Sequence, residues 1–195
     1  MRKTLATLLA LGIVLVGYTA WPLYDLFVLL RAIEARDIGT VTQHVYFDRI
    51  RASLTNQIIT AYLRRTGTEI GPRARQVAAI GISVAEPVVR RLISPEALSD
   101  LLTAGWPVTA VPDPPPPGTI GITRSTVGTI WQVFGAAEYG VARFEVSEPV
   151  ALPPAQRFRL RFQLLQWRWR LVSVTLPEHI QDLLAGEVVK ALERR

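Results

Sequence analysis

Hydrophobic and polar positions fall into three regimes along the chain. From Thr4 to Tyr24 there is no charge at all, in the run TLATLLALGIVLVGYTAWPLY. From Asp25 to about Thr103 apolar residues recur at helical spacing, and from about Glu138 to Leu176 they alternate with polar ones. Each regime predicts a different kind of element.

As a helix rising ~1.5 Å per residue, the first run spans roughly 30 Å, the thickness of a bilayer hydrocarbon core. Arg2 and Lys3 precede it, and Tyr18, Trp21 and Tyr24 gather at its far end, where aromatic rings favour the lipid interface. Pro22 falls where the helix is expected to leave the lipid. A cleaved secretory signal and a buried core helix are the competing readings. Cleavage after Ala20 would put Tyr18 at a position that prefers small residues, which favours an uncleaved anchor. A core helix does not need so long a charge-free stretch. Residues 1–24 are therefore read as the anchor and 25–195 as one domain. The basic N-terminus predicts an N-in orientation in the inner membrane, with the body in the periplasm if the source is a Gram-negative bacterium.

In the helical regime, residues 25–37 carry the stripe Leu26, Leu29, Leu30 and Ile33, with Gly39 as the expected stop. Asp48 is predicted to cap a helix over Arg49–Arg65, striped by Ile50, Leu54, Ile58, Ala61 and Tyr62 and closed by Thr66 and Gly67. A third helical stretch is expected from Pro72 to Ile93, interrupted at Pro87. Ser94, Pro95 and Glu96 form a helix start, a serine cap followed by proline at the first position, and that helix should run to about Thr103 and stop at Gly105. Residues 107–118, with four consecutive prolines from Pro114 to Pro117, read as a stiff extended connector.

In the alternating regime, Phe158, Leu160, Phe162 and Leu164 share one face of a strand, and Arg157, Arg159, Arg161 and Gln163 share the other. WRWRLVSVTL, 167–176, continues the pattern. With Leu165 and Gln166 as the turn, Leu164 faces Trp167, Phe162 faces Trp169 and Arg161 faces Arg170; moving the turn by one residue at each end keeps the faces. A preceding strand over 138–147 places Ala142, Phe144 and Val146 against Arg143 and Glu145. Residues 119–135 are expected to add one or two short strands, and Glu178–Glu193 a closing helix after Pro177. The fold class is α+β: an N-terminal transmembrane helix, a helical half packed on a C-terminal antiparallel meander of three or more strands, and a closing C-terminal helix.

Composition narrows the chemistry. The 195 residues suit a single domain. The absence of cysteine excludes disulfides, zinc knuckles, iron–sulfur clusters and thiol nucleophiles. The net charge of +6 comes from 20 Arg and 2 Lys against 16 acids, a bias to arginine alone rather than the mixed Lys/Arg concentration usual in a nucleic-acid binder, so no nucleic-acid partner is expected. No nucleophile elbow, phosphate loop, dinucleotide fingerprint or zincin motif is present; no catalytic residue and no cofactor are assigned. His44 and His179 lack metal-site spacing, so no metal is expected. Asp48 and Arg51, one helical turn apart, read as a capping carboxylate and its pair rather than a ligand site.

The candidate binding face is the arginine side of the hairpin: Arg157, Arg159, Arg161, Arg168 and Arg170, with Arg143 beside them. It suits anionic lipid head groups, a cell-envelope polymer or an acidic protein surface. The competing reading is a solvated face relieved by Glu138, Glu145 and Glu148. The opposite face, with Phe144, Phe158, Phe162, Trp167 and Trp169, either fills a core or lines a pocket of the cone-shaped nuclear-transport-factor-like kind; the filled core is favoured.

The segment HVYFDRIRASLTNQI, with the upstream AIEARD, the LISPEALSDLL helix start and the terminal WRWRLVSVTLP, resembles the bacterial domain-of-unknown-function family numbered 2939 over roughly residues 18–180. Phe47, Asp48, Ile50, Arg51, Ser53 and Leu54 carry the likeness, followed by Trp169, Leu171, Leu176 and Pro177. The resemblance implies a short N-terminal membrane segment and no activity. A Gly or Asp would be expected near the hairpin turn, and Leu165-Gln166 supplies neither. The function expected is that of a membrane-anchored envelope protein serving as a non-enzymatic binding or interaction module. The alternatives are an enzyme using a cone-shaped pocket and a cytoplasm-facing anchored adaptor.

Overall fold

The structure, a computed structural model, describes residues 2–65, 94–108, 120–123 and 130–193. The helix expected over Pro72–Ile93, the Thr66-Gly67 stop and nearly all of the proline connector lie outside the described residues.

Helix α1 runs unbroken over Arg2–Glu34 with Pro22 inside it, about 50 Å of rod. The sequence suggested an exit at Pro22, but the helix carries straight through. Pro22 forfeits one backbone bond, and buried neighbours on the C-terminal side (Leu23, Leu26, Leu29, Leu30, Ala32 and Ile33) hold the next turns in place. From Lys3 to Gly17 the rod is exposed on every side. It is the one described helix long and apolar enough to cross a membrane.

The rod ends in a left-handed cap: Arg36 has φ 53°, and the Asp37 N–H donates to the Ala32 carbonyl at 2.8 Å. Gly39, expected to be the stop, instead lies inside a short helix α2, Ile38–His44, capped by Asp37. The Thr40 hydroxyl and N–H both donate to the Asp37 carboxylate and hold its pKa below the ordinary aspartate value. This cap therefore persists at neutral pH and is lost only as pH falls through the lowered pKa.

Helix α3, Phe47–Arg65, starts two residues before the predicted Arg49, which places Asp48 in its first turn rather than at the cap. Helix α4, Pro95–Ala104, matches expectation: the Ser94 hydroxyl accepts from the Ala97 N–H at 3.0 Å, and Gly105, with φ 71°, ends it. Gly121 must be glycine for a steric reason, since a Cβ there would sit 1.9 Å from the Thr103 carbonyl oxygen.

Of the segment 119–135, where one or two strands were expected, residues 119 and 124–129 lie outside the described residues; residues 120–123 are irregular and Ile130–Ala136 form helix α5. The β-branched and aromatic residues of that segment favour strand. Tertiary context overrides them, with Val133 fully buried in the core.

The sheet has four antiparallel strands in sequence order: β1 Glu138–Gly140, β2 Arg143–Glu148, β3 Phe158–Leu165 and β4 Arg168–Thr175. The single strand read over 138–147 is in fact a hairpin, because Gly140 pairs with Arg143 across a Val141–Ala142 turn. The turn of the second hairpin is Gln166–Trp167, one residue later at each end than Leu165–Gln166, and Leu164 now faces Trp169. The inward face keeps its composition except for Trp167, which the shift moves to the tip. A bulge at Val172 then sets Arg161 opposite Ser173, while Arg170 faces Gln163. The predicted face-off of Arg161 and Arg170 does not occur.

The apolar face of the sheet (Phe144, Val146, Phe158, Leu160, Phe162, Trp169, Leu171 and Val174) is buried together with α1, α3, α4 and helix α6, Glu178–Glu193, in one core. The outer edge of β4 is closed in two ways. Val45 bridges Leu171 and the Tyr46 N–H donates to the Leu171 carbonyl; lower down, the Gln57 amide donates to the Val174 carbonyl and accepts from the Leu176 N–H. A side chain thus substitutes for a fifth strand and removes an open edge.

Candidate functional site

The polar face of the sheet is built by the same alternation that builds the core. Arg143, Glu145 and Ser147 on β2 stand beside Gln163, Arg161 and Arg159 on β3, with Arg170 and Ser173 following on β4. Glu145 lies directly opposite Arg161. Its carboxylate meets the Arg161 Nε at 2.6 Å and the Arg159 Nε at 3.3 Å. Two of the five candidate arginines therefore share one acid, which offsets half of their charge.

Arg157 does something else: it precedes β3 and turns back to donate to the Leu152 and Val150 carbonyls at 2.6 and 2.8 Å, bracing the β2–β3 loop. Arg168 reaches the Gln43 amide oxygen at 3.4 Å, and the Arg170 Nε is buried without a hydrogen-bond partner. Arg49, from α3, donates to Gln163 and stacks over the Tyr46 ring at 5.4 Å. Sequence reasoning missed Arg49, because its approach depends on how α3 crosses the sheet edge. Arg49, Arg143, Arg161, Gln163 and Val172 line a groove of about 310 Å³. Among the described residues, Arg49, Arg143, Arg168 and Arg170 have no carboxylate partner.

The family-motif residues are scaffold. Asp48 pairs with Arg51 at 3.1 Å on the surface of α3, as expected. Phe47 packs against the core, Ile50 and Leu54 are buried in it, and the Ser53 hydroxyl meets the Ser173 hydroxyl at 2.8 Å, tying α3 to β4. Trp169 is buried. Its backbone N–H donates to the buried Asp25 carboxylate of α1 at 3.2 Å, and its ring meets Tyr18 edge-on at 6.4 Å. His44 closes on the same carboxylate at 3.8 Å, while His179 is exposed. Among the described residues no three His, Asp or Glu side chains group as metal ligands. Partial burial raises the pKa of the Tyr139 phenol, which packs on Phe134 and Phe144.

Phe144, Phe158, Phe162 and Trp169 are fully buried, and the described cavities lie in the arginine groove, beside Arg36 and Glu96, and along Leu5–Leu9.

Glu145→Gln should lower stability by about 1 kcal/mol, because it leaves Arg159 and Arg161 as adjacent like charges. The loss should grow as salt is removed. Thermal unfolding at two ionic strengths checks this; equal losses in both would mean the acid does not relieve the face electrostatically.

A single long apolar helix leading a four-stranded α+β body defines the class of protein. Residues 11–101, a little under half of the chain, match the family described as "Protein of unknown function (DUF2939)". The matched span includes α1 from Leu11, α2, α3 and most of α4, and it ends before the sheet. No curated protein and no solved structure gives a significant match.

Proposed function

We propose that this is a membrane-tethered envelope protein acting as a non-enzymatic binding module. Residues 2 to about 20 anchor it in the inner membrane, and the body lies on the periplasmic side. The carrying observation is the two-part character of α1: one unbroken helix that is exposed and charge-free from Thr4 through Gly17, and that buries one face in the core from Pro22 onward. An apolar rod exposed on all sides calls for lipid rather than water. Cleavage after Ala20 would also remove Tyr18, which packs on Trp169 and bonds to the Val141 carbonyl, so retention of the segment favours the body.

A binding role, rather than catalysis, fits the filled aromatic core and a polar groove whose lining holds arginine and glutamine but no carboxylate or histidine to act as general base. The test is an alkaline phosphatase fusion at the C-terminus in a bacterial host. An active fusion is expected; an inactive one would place the body in the cytoplasm.

A further inference from the structure

We propose that the two hairpin tips, Val141–Ala142 and Gln166–Trp167, dock the body onto the anionic lipid surface of the bilayer that holds α1. Val141 and Trp167 enter the interface, and Arg49, Arg143, Arg168 and Arg170 stand over the lipid phosphates. The inference rests on the membrane-tethered reading and adds the partner and the surface.

Depth is the first argument. A 30 Å hydrocarbon core takes about 20 helical residues, and the charge-free run ends at Tyr24, so the lipid boundary falls near Tyr18 to Tyr24. The Tyr18 hydroxyl donates to the Val141 carbonyl, and its ring touches Trp169, two residues beyond the other tip. Both tips are therefore level with that boundary. Each presents an isolated apolar side chain: Val141 is 91% exposed and Trp167 80%. Trp21 and Tyr24 are exposed on the adjoining turns of α1. Tryptophan and tyrosine are the side chains that partition to the headgroup level.

Local backbone cost is the second argument. Gln166 and Trp167 both have positive φ, 52° and 62°, as a tight two-residue hairpin turn of this hand requires. Asn-Gly would satisfy that turn without strain, whereas tryptophan in the left-handed region is disfavoured and, at 80% exposure, gains little from packing. A residue that breaks a local rule without a folding benefit points to a use outside the fold.

Charge placement is the third. The arginines of the sheet face that pair with Glu145, Arg159 and Arg161, lie further along β3 from the tip. Arg143 begins the strand after the first tip, Arg168 begins the strand after the second, and Arg143, Gln163 and Arg170 form one row across three strands with Arg49 over Gln163. Guanidinium groups at that height match phosphate oxygens in charge and geometry.

The chain has no cysteine, which permits single-site labelling. The full chain would be placed in nanodiscs of phosphatidylcholine with and without phosphatidylglycerol. Nitroxides at Val141→Cys, Trp167→Cys, Gly12→Cys and Ala155→Cys would be compared for accessibility to oxygen, which favours lipid, and to a nickel chelate, which stays in water. The expected result is lipid exposure at 12, shallower lipid exposure at 141 and 167, and water exposure at 155, in the loop at the other end of the sheet. Water exposure at both 141 and 167 with 12 still in lipid would overturn the docking inference and leave the anchor standing; water exposure at 12 would overturn the anchor itself.

Spin-labelled phosphatidylglycerol should associate more than spin-labelled phosphatidylcholine. Arg49→Gln, Arg143→Gln and Arg170→Gln together should reduce that preference by roughly fivefold or more at low salt. An unchanged preference would overturn the phosphate contacts. Trp167→Gly should raise the melting temperature in detergent while moving the 141 label toward water; a lowered melting temperature would contradict the argument from turn cost.

Discussion

Replacing Trp169 with alanine is expected to cost about 3–5 kcal/mol. That is a large share of the 5–15 kcal/mol by which a domain of this kind is typically stable. Three effects coincide at this residue. The ring is fully buried on the inward face near the hairpin end of β4, so its loss leaves a cavity in the core. Its edge-on contact with Tyr18 joins the sheet to the exposed part of α1. Its backbone N–H is held by Asp25, and slackening of β4 there would loosen a buried carboxylate and the His44 beside it. Trp169→Phe is the informative control. It keeps most of the ring and removes an indole Nε1 that has no hydrogen-bond partner among the described residues, so it should cost less than about 1.5 kcal/mol. Denaturant titration of both variants checks the pair. Equal losses would mean that volume is not what matters at this position.

The other large effect concerns the rod. Leu11→Arg combined with Val14→Arg should abolish stable membrane insertion, since each arginine at mid-span costs about 2.5–3.5 kcal/mol. Both side chains are exposed on the same side of α1, one turn apart, and neither touches the core. The body should therefore keep its melting temperature in detergent. Carbonate extraction of membranes is the readout: the parent chain stays in the pellet, and the double variant moves to the supernatant or is degraded. Retention of the double variant in the pellet would mean that something other than this segment holds the protein there.

Local signals in the sequence were read well where one residue decides the geometry. Ser94 and Gly105 bracket α4 because a hydroxyl cap and a left-handed glycine are sufficient instructions. Strict alternation over 157–164 fixed the two faces of β3, since side-chain direction in a strand depends only on parity. The hairpin register was less legible, because its turn uses Gln166 and Trp167 where the chemistry of such turns would call for Asn or Gly. Helix α5 was hidden by strand-favouring side chains, and the continuity of α1 by Pro22, whose penalty is outweighed by packing on its C-terminal side. Of the candidate site, the arginine alternation was visible. Relief by Glu145 was also anticipated; the division into paired and unpaired groups was not, because Arg49 and Gln43 reach the face from α3 and α2. The Asp25–Trp169 link spans 144 residues and leaves no local trace.

One helix serves both lipid and core, so the leading segment stays on the chain. The most direct test is the intact mass of the protein purified from carbonate-washed membranes. The account predicts a chain that retains residues 2–20, close to the full 21.7 kDa. A mature product beginning at Trp21 would contradict it.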